Sequence, residues 1–316
     1  MASAESRNRL RAQLDIRAAL EQAIARLREA RVPSHTLAAE LLLMHALGCD
    51  RTWLYTHPEV LLEPLAREKY FALVERRASG EPTQYLTGKQ EFWALEFEVT
   101  PDVLIPRPET EHLVEVALER LGPPGIKINL PTGAPRPRLR VADVGTGSGA
   151  LAVALAHELP HAEIHATDIS APALAVAERN AARHAVRDRI RFIHTNLLDS
   201  VLDESQVADR ESRLFDLIVS NPPYVARNKA EQLPPEVRDH EPASALFPGP
   251  TGVEIYARLI EQAGSLLRPG GILVLELGYD SANHVRAIFS GQHGWTNVTL
   301  TNDLAGIPRV IAAERL

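Results

Sequence analysis

The stretch Val141-Ala142-Asp143-Val144-Gly145-Thr146-Gly147-Ser148-Gly149-Ala150, continued by Leu151-Ala152-Val153-Ala154-Leu155-Ala156, decides the fold. Its apolar opening reads as a buried strand, its glycines as a turn and its continuation as a helix. Together these make the first half of a nucleotide-binding βαβ unit. Glycine tolerates positive φ and lets backbone approach a ligand closely. The next apolar run, Ala162-Glu163-Ile164-His165-Ala166-Thr167-Asp168, reads as a second strand ending in an acid. That acid lies about twenty residues beyond the glycines, where a carboxylate can accept both hydroxyls of a ribose. Gly-x-Gly-x-Gly is tighter than the dinucleotide-binding Gly-x-Gly-x-x-Gly.

Downstream, Phe215-Asp216-Leu217-Ile218-Val219-Ser220 reads as another buried strand, and Asn221-Pro222-Pro223-Tyr224 follows directly. Two prolines lack the N–H that a ladder needs, so the strand must end in a stiff loop. The loop holds Asn221 and Tyr224 at the carboxyl edge of the sheet, where ligands of open α/β folds bind. An amide oxygen, proline-stiffened carbonyls and an aromatic face suit a planar –NH2 group: the carbonyls accept its two N–H bonds and the ring stacks on its plane. Glycine loop, Asp168 and Asn-Pro-Pro-Tyr, in that order, resemble the S-adenosylmethionine-dependent amino-methyltransferases, which act on exocyclic or amide nitrogens.

Composition fits a soluble enzyme. With 316 residues, one large or two unequal domains are expected. A net charge of -7 without a long basic run leaves no bulk phosphate-binding footprint, although a local basic patch stays open. Cys49 is the only cysteine, which excludes an intrachain disulfide and cysteine metal clusters; it reads as a small packed thiol at a helix end. His157 and His161, four apart, read as exposed helix-end residues, and no metal is expected. No run reaches membrane-spanning length and the charged N-terminus lacks the apolar core of a secretory signal, so a cytoplasmic location is the default.

The chain divides in three. Residues 1–82 read as a small helical bundle: Leu20, Ile24 and Leu27 form a stripe, Pro33-Ser34 can start a helix over 37–47, and others follow near 53–55 and over 64–78. The bundle carries no catalytic constellation and reads as a docking module. Residues 83–105 hold Leu95, Phe97 and Val99 alternating with Glu96 and Glu98, the period of a half-buried strand, which we assign to a β-hairpin linker. Residues 106–316 form the third part. Pro108 can sit at the first position of a helix with Leu113, Ala117 and Leu121 on one face, and 122–137, rich in Pro and Gly, reads as a surface insertion. Strands are predicted at 139–144, 162–167, 189–195, 215–220, 272–277, 296–301 and 309–314. Their alternation with helices indicates an α/β doubly wound, seven-stranded Rossmann-like sheet.

Gln90-Glu91-Phe92-Trp93, then Leu104-Ile105-Pro106-Arg107-Pro108-Glu109-Thr110-Glu111, the glycine loop, Asn221-Pro222-Pro223-Tyr224 and Asp303-Leu304-Ala305-Gly306 occur in one order. Together they resemble the HemK-type (PrmC) methyltransferases, which modify the glutamine of the Gly-Gly-Gln loop in peptide chain release factors. The resemblance covers nearly the whole chain and includes Glu241-Pro242 and Ala245-Leu246 of the following loop. A sister family that methylates a ribosomal protein carries Pro-Arg-Ser-Pro; Pro106-Arg107-Pro108-Glu109 favours the release-factor branch.

The resemblance implies a site. Asn221, Pro222, Pro223 and Tyr224 would be catalytic, with Asn221 Oδ1 and the Pro222 carbonyl accepting the two amide hydrogens. Gly145, Thr146, Gly147, Ser148 and Gly149 would line the methionine part of S-adenosyl-L-methionine, and Asp168 would hold its ribose. Where the family usually places an adenine-binding acid, this chain has Asn196, with Asp199 a nearby competitor and Leu197 against the adenine face. Arg107 reads either as a site residue or as an ion-pair partner. No general base stands out, so positioning carries the rate. Release factors are the implied partner, with no nucleic acid or membrane, and a monomer is expected. Methylation of a ribosomal-protein glutamine, amino-methylation of a nucleic-acid base, and a non-catalytic scaffold remain the alternatives.

Overall fold

The computed structural model describes residues 14–122, 138–202 and 214–316; most of the predicted 122–137 insertion lies outside them. The chain forms two compact units, Met1–Gly88 with Pro234–His240, and Lys89–Leu233 with Glu241–Leu316.

The first unit is helical: α1 Ile16–Glu29, α2 His35–Leu47, α3 Arg51–Thr56, α4 Pro64–Ala78 and α5 Thr83–Thr87. Asp15 caps α1 by accepting the Ala18 N–H at 2.8 Å, and Asp50 caps α3 through Trp53 N at 2.7 Å. The fully buried residues of α1 are Ile16, Ala19, Ala23 and Leu27, and Leu20 and Ile24 of the predicted stripe pack against the same core, partly buried. The two alanines let neighbouring helices come close, which a leucine would prevent. Helix α2 begins two residues before its predicted start, and Ser34, at φ 47°, makes no side-chain cap. It stops at Gly48 in the left-handed conformation, beside half-buried Cys49. Tyr70 is buried in this core and donates to the Ala39 carbonyl at 3.1 Å. Buried Arg77 pairs with Glu236, which fastens the 234–240 segment, including the short helix at Pro235–His240, to this unit.

The second unit opens with the hairpin β1 Lys89–Phe92 and β2 Leu95–Glu98. Its two turn residues, Trp93 and Ala94, both have positive φ (53° and 55°), where Asn-Gly is the usual choice. The hairpin is held by buried Asn180, which accepts Glu98 N at 2.7 Å and donates to the carbonyls of Glu98 and Ser148, both at 2.9 Å. After a 3-10 turn at Pro108–Thr110 comes α6 Glu111–Leu121.

Seven strands follow: β3 Arg140–Val144, β4 Glu163–Asp168, β5 Ile190–His194, β6 Phe215–Ser220, β7 Leu267–Glu276, β8 Trp295–Asn302 and β9 Pro308–Arg315. They lie in the order β5-β4-β3-β6-β7-β9-β8; the first five are parallel, β9 is antiparallel to both its neighbours, and the doubly wound expectation holds. Strand β7 starts at 267 rather than the predicted 272. Arg268-Pro269-Gly270-Gly271 forms a bulge between the Phe215–Leu267 and Leu217–Ile272 pairs. Helices α7 Ala150–Glu158 and α8 Ala171–Arg183, with α6 and the hairpin aromatics, cover one face of the sheet. Helices α9 Asp199–Leu202, α10 Glu254–Leu266 and α11 Ala282–Gly291 cover the other. Strand order reverses between β3 and β6, so ligands are expected at the carboxyl ends of those two strands. There the Ser220 hydroxyl donates to the Val144 carbonyl at 2.6 Å and ties the ends together.

Candidate active site

The glycine loop leaves β3 at Val144 and is stitched to β4 by Gly145 N and Thr146 N, which donate to the Thr167 carbonyl at 2.8 and 2.9 Å. Gly145, Gly147 and Gly149 have φ of 76°, 54° and 81°. A Cβ at 145 or 147 would enter open space, the property of a backbone cradle that a ligand can fill. At Gly149 a Cβ would meet Ala177 at 3.1 Å, so the absence of a side chain here permits the close packing of α7 on α8. Thr146 also faces inward and donates at 2.6 Å to Asp143, which accepts Ala152 N at 3.0 Å through the same oxygen. Burial pushes the Asp143 carboxyl up to about 7, and its Oδ1 is buried with no hydrogen-bond partner among the described residues.

Asp168 sits against this loop, its carboxylate accepting Gly147 N at 2.9 Å and Ser170 N at 2.8 Å. Burial raises its pKa despite these backbone bonds, which act the other way. A carboxylate has about four lone-pair positions, so acceptor capacity remains for a ligand hydroxyl beside these backbone bonds. Thr195 N bonds the Asp168 carbonyl at 3.0 Å and brings the end of β5 alongside. Asn196 is exposed there, and Leu197 is half-buried at φ 53°. Asp199 turns away: it accepts Gln262 Nε2 at 2.6 Å and faces Arg258 at 3.6 Å, both on α10. Its carboxylate faces that helix, whereas Asn196 makes no side-chain hydrogen bond with the described residues.

Beyond β6, Pro222 is buried and Asn221, Pro223 and Tyr224 are half-buried. Asn221 Nδ2 donates to Thr110 Oγ1 at 3.1 Å, and Thr110 Oγ1 donates to Glu276 Oε2 at 2.6 Å. Burial pushes the Glu276 carboxyl up to about 7, against the hydrogen bond from Thr110 and the charges of Arg309 and Arg107. The Tyr224 ring lies on Gly278, and burial raises its phenol above the ordinary range. A cavity of about 570 Å³ opens beside it, lined by Tyr224, Lys229, Leu233, Gly278, Tyr279 and His284 among others. Arg107 pairs at 2.5 Å with the buried carboxylate of Glu241 and so anchors the loop that returns from Asn-Pro-Pro-Tyr.

Three participants escape a reading of the sequence. Thr110 lies inside a quoted motif without being singled out. Glu276 ends the apolar run Ile272-Leu273-Val274-Leu275, and Asp143 interrupts an apolar strand. A lone acid in such a run is the available signal for both. No group of three or more His, Cys, Asp or Glu placed to hold a metal occurs among the described residues.

The methyltransferase small domain family matches residues 128–234, and the fold and glycine loop belong to that class of transferase. The PrmC N-terminal domain family matches residues 18–88. The release factor glutamine methyltransferase of Koribacter versatilis (strain Ellin345) is 42% identical, over 96% of this chain and 99% of its own length. That of Nitratidesulfovibrio vulgaris (strain Hildenborough) is 41% identical over 94% of each chain, and that of Moorella thermoacetica is 39% identical over 96% and 99%. The chain belongs to the release factor glutamine methyltransferase family. Among solved structures, the hMettl16 catalytic domain in complex with a MAT2A 3′UTR hairpin superposes with a TM-score of 0.53 at 17% identity, covering 77% of this chain and 81% of that one. At that identity the likeness concerns the fold alone.

Proposed function

We propose that this chain transfers a methyl group from S-adenosylmethionine to the side-chain amide nitrogen of the glutamine in the Gly-Gly-Gln loop of peptide chain release factors. The observation that carries the reading is Asn221. It sits at the switch-point edge with its –NH2 end held by Thr110, while its Oδ1 accepts no hydrogen bond from the described residues. The open Cβ directions at Gly145 and Gly147 and the spare lone pairs of Asp168 fit the cofactor, with Thr146 and Ser148 shaping the loop. Gly149 supports that shape from behind, and Asn196 and Leu197, just beyond the end of the next strand, would take the adenine.

When bound, the cofactor supplies an electrophilic sulfonium methyl. A carboxamide nitrogen is a weak nucleophile because its lone pair is delocalised into the carbonyl, so the chain's task is orientation. Asn221 Oδ1 and the Pro222 carbonyl accept the two amide hydrogens and favour the positive charge that develops on nitrogen. Pro223 stiffens the loop and Tyr224 walls the pocket. The proton leaves to solvent after transfer, so no side chain is assigned as base.

The first unit supplies remote contacts to the protein substrate, because a short glutamine loop offers little surface of its own. In this reading the chain acts as a monomer in the cytoplasm and needs neither metal nor nucleic acid. Incubation with labelled S-adenosylmethionine and a cell extract, followed by protease or nuclease digestion, tests it. Label released as peptide supports the proposal; label on nucleotides refutes it.

A further inference from the structure

We propose that Thr110 and Glu276 form a polarity relay that dictates which end of the Asn221 amide faces the acceptor, which makes both of them positioning residues. The inference rests on the role given to Asn221 above.

The three groups come from distant parts of the chain and meet in one line. Glu276 is the last residue of β7, 1% exposed, and its Oε2 receives the Thr110 hydroxyl at 2.6 Å. Thr110, 5% exposed in the turn before α6, receives Asn221 Nδ2 at 3.1 Å on the same oxygen. A hydroxyl has one hydrogen. Burial raises the Glu276 carboxyl to about 7, and above that pH it is ionised and can only accept. With its hydrogen committed to Glu276, Thr110 offers Asn221 lone pairs only. The –NH2 end of the amide can meet those lone pairs and the oxygen end cannot. A half-turn of the amide would set Oδ1 against the threonine oxygen with no hydrogen between them, forfeiting a hydrogen bond at a largely dry position. Oδ1 is therefore turned away from Thr110, free to accept an N–H from the substrate.

The burial of Glu276 supports a functional reason for its presence. A carboxyl at the end of Ile272-Leu273-Val274-Leu275 loses hydration that an apolar residue would not miss. The acid also faces the charges of Arg309 and Arg107, but only its bond from Thr110 fixes a hydrogen beside Asn221.

The test uses the full-length chain with purified release factor. Thr110→Val keeps the side-chain shape and removes the hydroxyl; Thr110→Ser keeps the hydroxyl. We expect Thr110→Val to lower kcat by roughly ten- to a hundredfold, the scale of a misplaced reacting group. KM for the release factor and affinity for S-adenosylhomocysteine should stay near wild type, and Thr110→Ser should recover most of the loss. Glu276→Gln, whose amide can donate as well as accept, should also lower kcat, and it carries the test if Thr110→Val fails to bind S-adenosylhomocysteine. Wild-type kcat in Thr110→Val, or Thr110→Ser as impaired as Thr110→Val, overturns the relay. Should the wild-type chain leave glutamine unmethylated, the functional reading has failed, and the relay is judged separately by side-chain amide NMR. Asn221 amide protons protected from exchange in wild type and exposed in Thr110→Val uphold it; equal exchange in both overturns it.

Discussion

Replacing Gly278 by alanine should displace Tyr224 specifically. A Cβ at 278 would lie 2.8 Å from Tyr224 Cδ2, 3.0 Å from Cγ and 3.2 Å from Cβ. Carbon atoms prefer about 3.5–4.0 Å, so the overlap reaches roughly half an ångström or more at the near end of the ring. Rotation about the ring axis cannot relieve it, because Cβ and Cγ lie on that axis; the ring must swing or the Asn-Pro-Pro-Tyr loop must move. Gly278 is outside the left-handed region, so the alanine brings a steric cost without backbone strain. Overpacking of this kind costs about 1–3 kcal/mol. At roughly 2–4 °C per kcal/mol for a unit of this size, Tm should drop by several degrees. The assay is a thermal-unfolding cycle of Gly278→Ala, Tyr224→Ala and the double variant. With the ring gone, the alanine should cost less than about 0.5 kcal/mol, a coupling of at least about 0.5 kcal/mol between adjacent residues. Methyl transfer by Gly278→Ala should fall while S-adenosylhomocysteine affinity holds. Equal destabilisation in both backgrounds would refute the reasoning.

Further expectations follow from other parts of the molecule. Asp168→Ala should weaken S-adenosylhomocysteine binding by roughly 1.5–3 kcal/mol, or about ten- to a hundredfold, in calorimetry; unchanged affinity removes the ribose assignment. Asn221→Ala should abolish methyl transfer with little change in cofactor affinity, and near-normal turnover would exclude its catalytic role. Asp143 and Glu276 ionise near 3.8 and 4.5 in an unfolded chain but near 7 when folded, so the folded state binds more protons in between. Stability should therefore decline as pH rises from about 4 to about 7 and level off above, by on the order of 3 kcal/mol for each group; denaturant titration across that range checks the slope. On the first unit, Leu65 is 79% exposed and Leu61 49%. If this unit docks the substrate, Leu61→Ser with Leu65→Ser should raise KM for intact release factor and leave Tm unchanged, whereas identical kinetics would argue against docking through this surface.

What could be read from the sequence was local. The glycine loop, the acid closing β4 and the proline-terminated β6 each declare themselves within about ten residues, because periodicity and missing N–H groups act at that range. The start of β7 did not, since Pro269-Gly270-Gly271 has turn chemistry and only pairing with β6 turns it into a bulge. The Trp93-Ala94 turn was hidden because neither residue favours positive φ; the strands and the Asn180 clamp impose it. The buried face of α1 extends beyond the Leu20, Ile24 and Leu27 stripe to Ala19 and Ala23, which carry little hydrophobic signal. Within the site, Asn221 was legible through its prolines, whereas its contacts to Thr110 and from Thr110 to Glu276 span 111 and 166 positions and leave no spacing to detect. Gly149 looked like its two neighbours, and only Ala177 distinguishes it.

The central claim is that a glutamine amide nitrogen of a release factor receives the methyl group. Purified chain, S-adenosylmethionine and unmodified release factor, followed by peptide mapping with fragmentation of the Gly-Gly-Gln peptide, test it directly. One added methyl group is expected on the glutamine side chain, absent when Asn221→Ala replaces the wild-type chain. A methyl group elsewhere on the release factor, or an unmodified Gly-Gly-Gln peptide from an active enzyme, would contradict it.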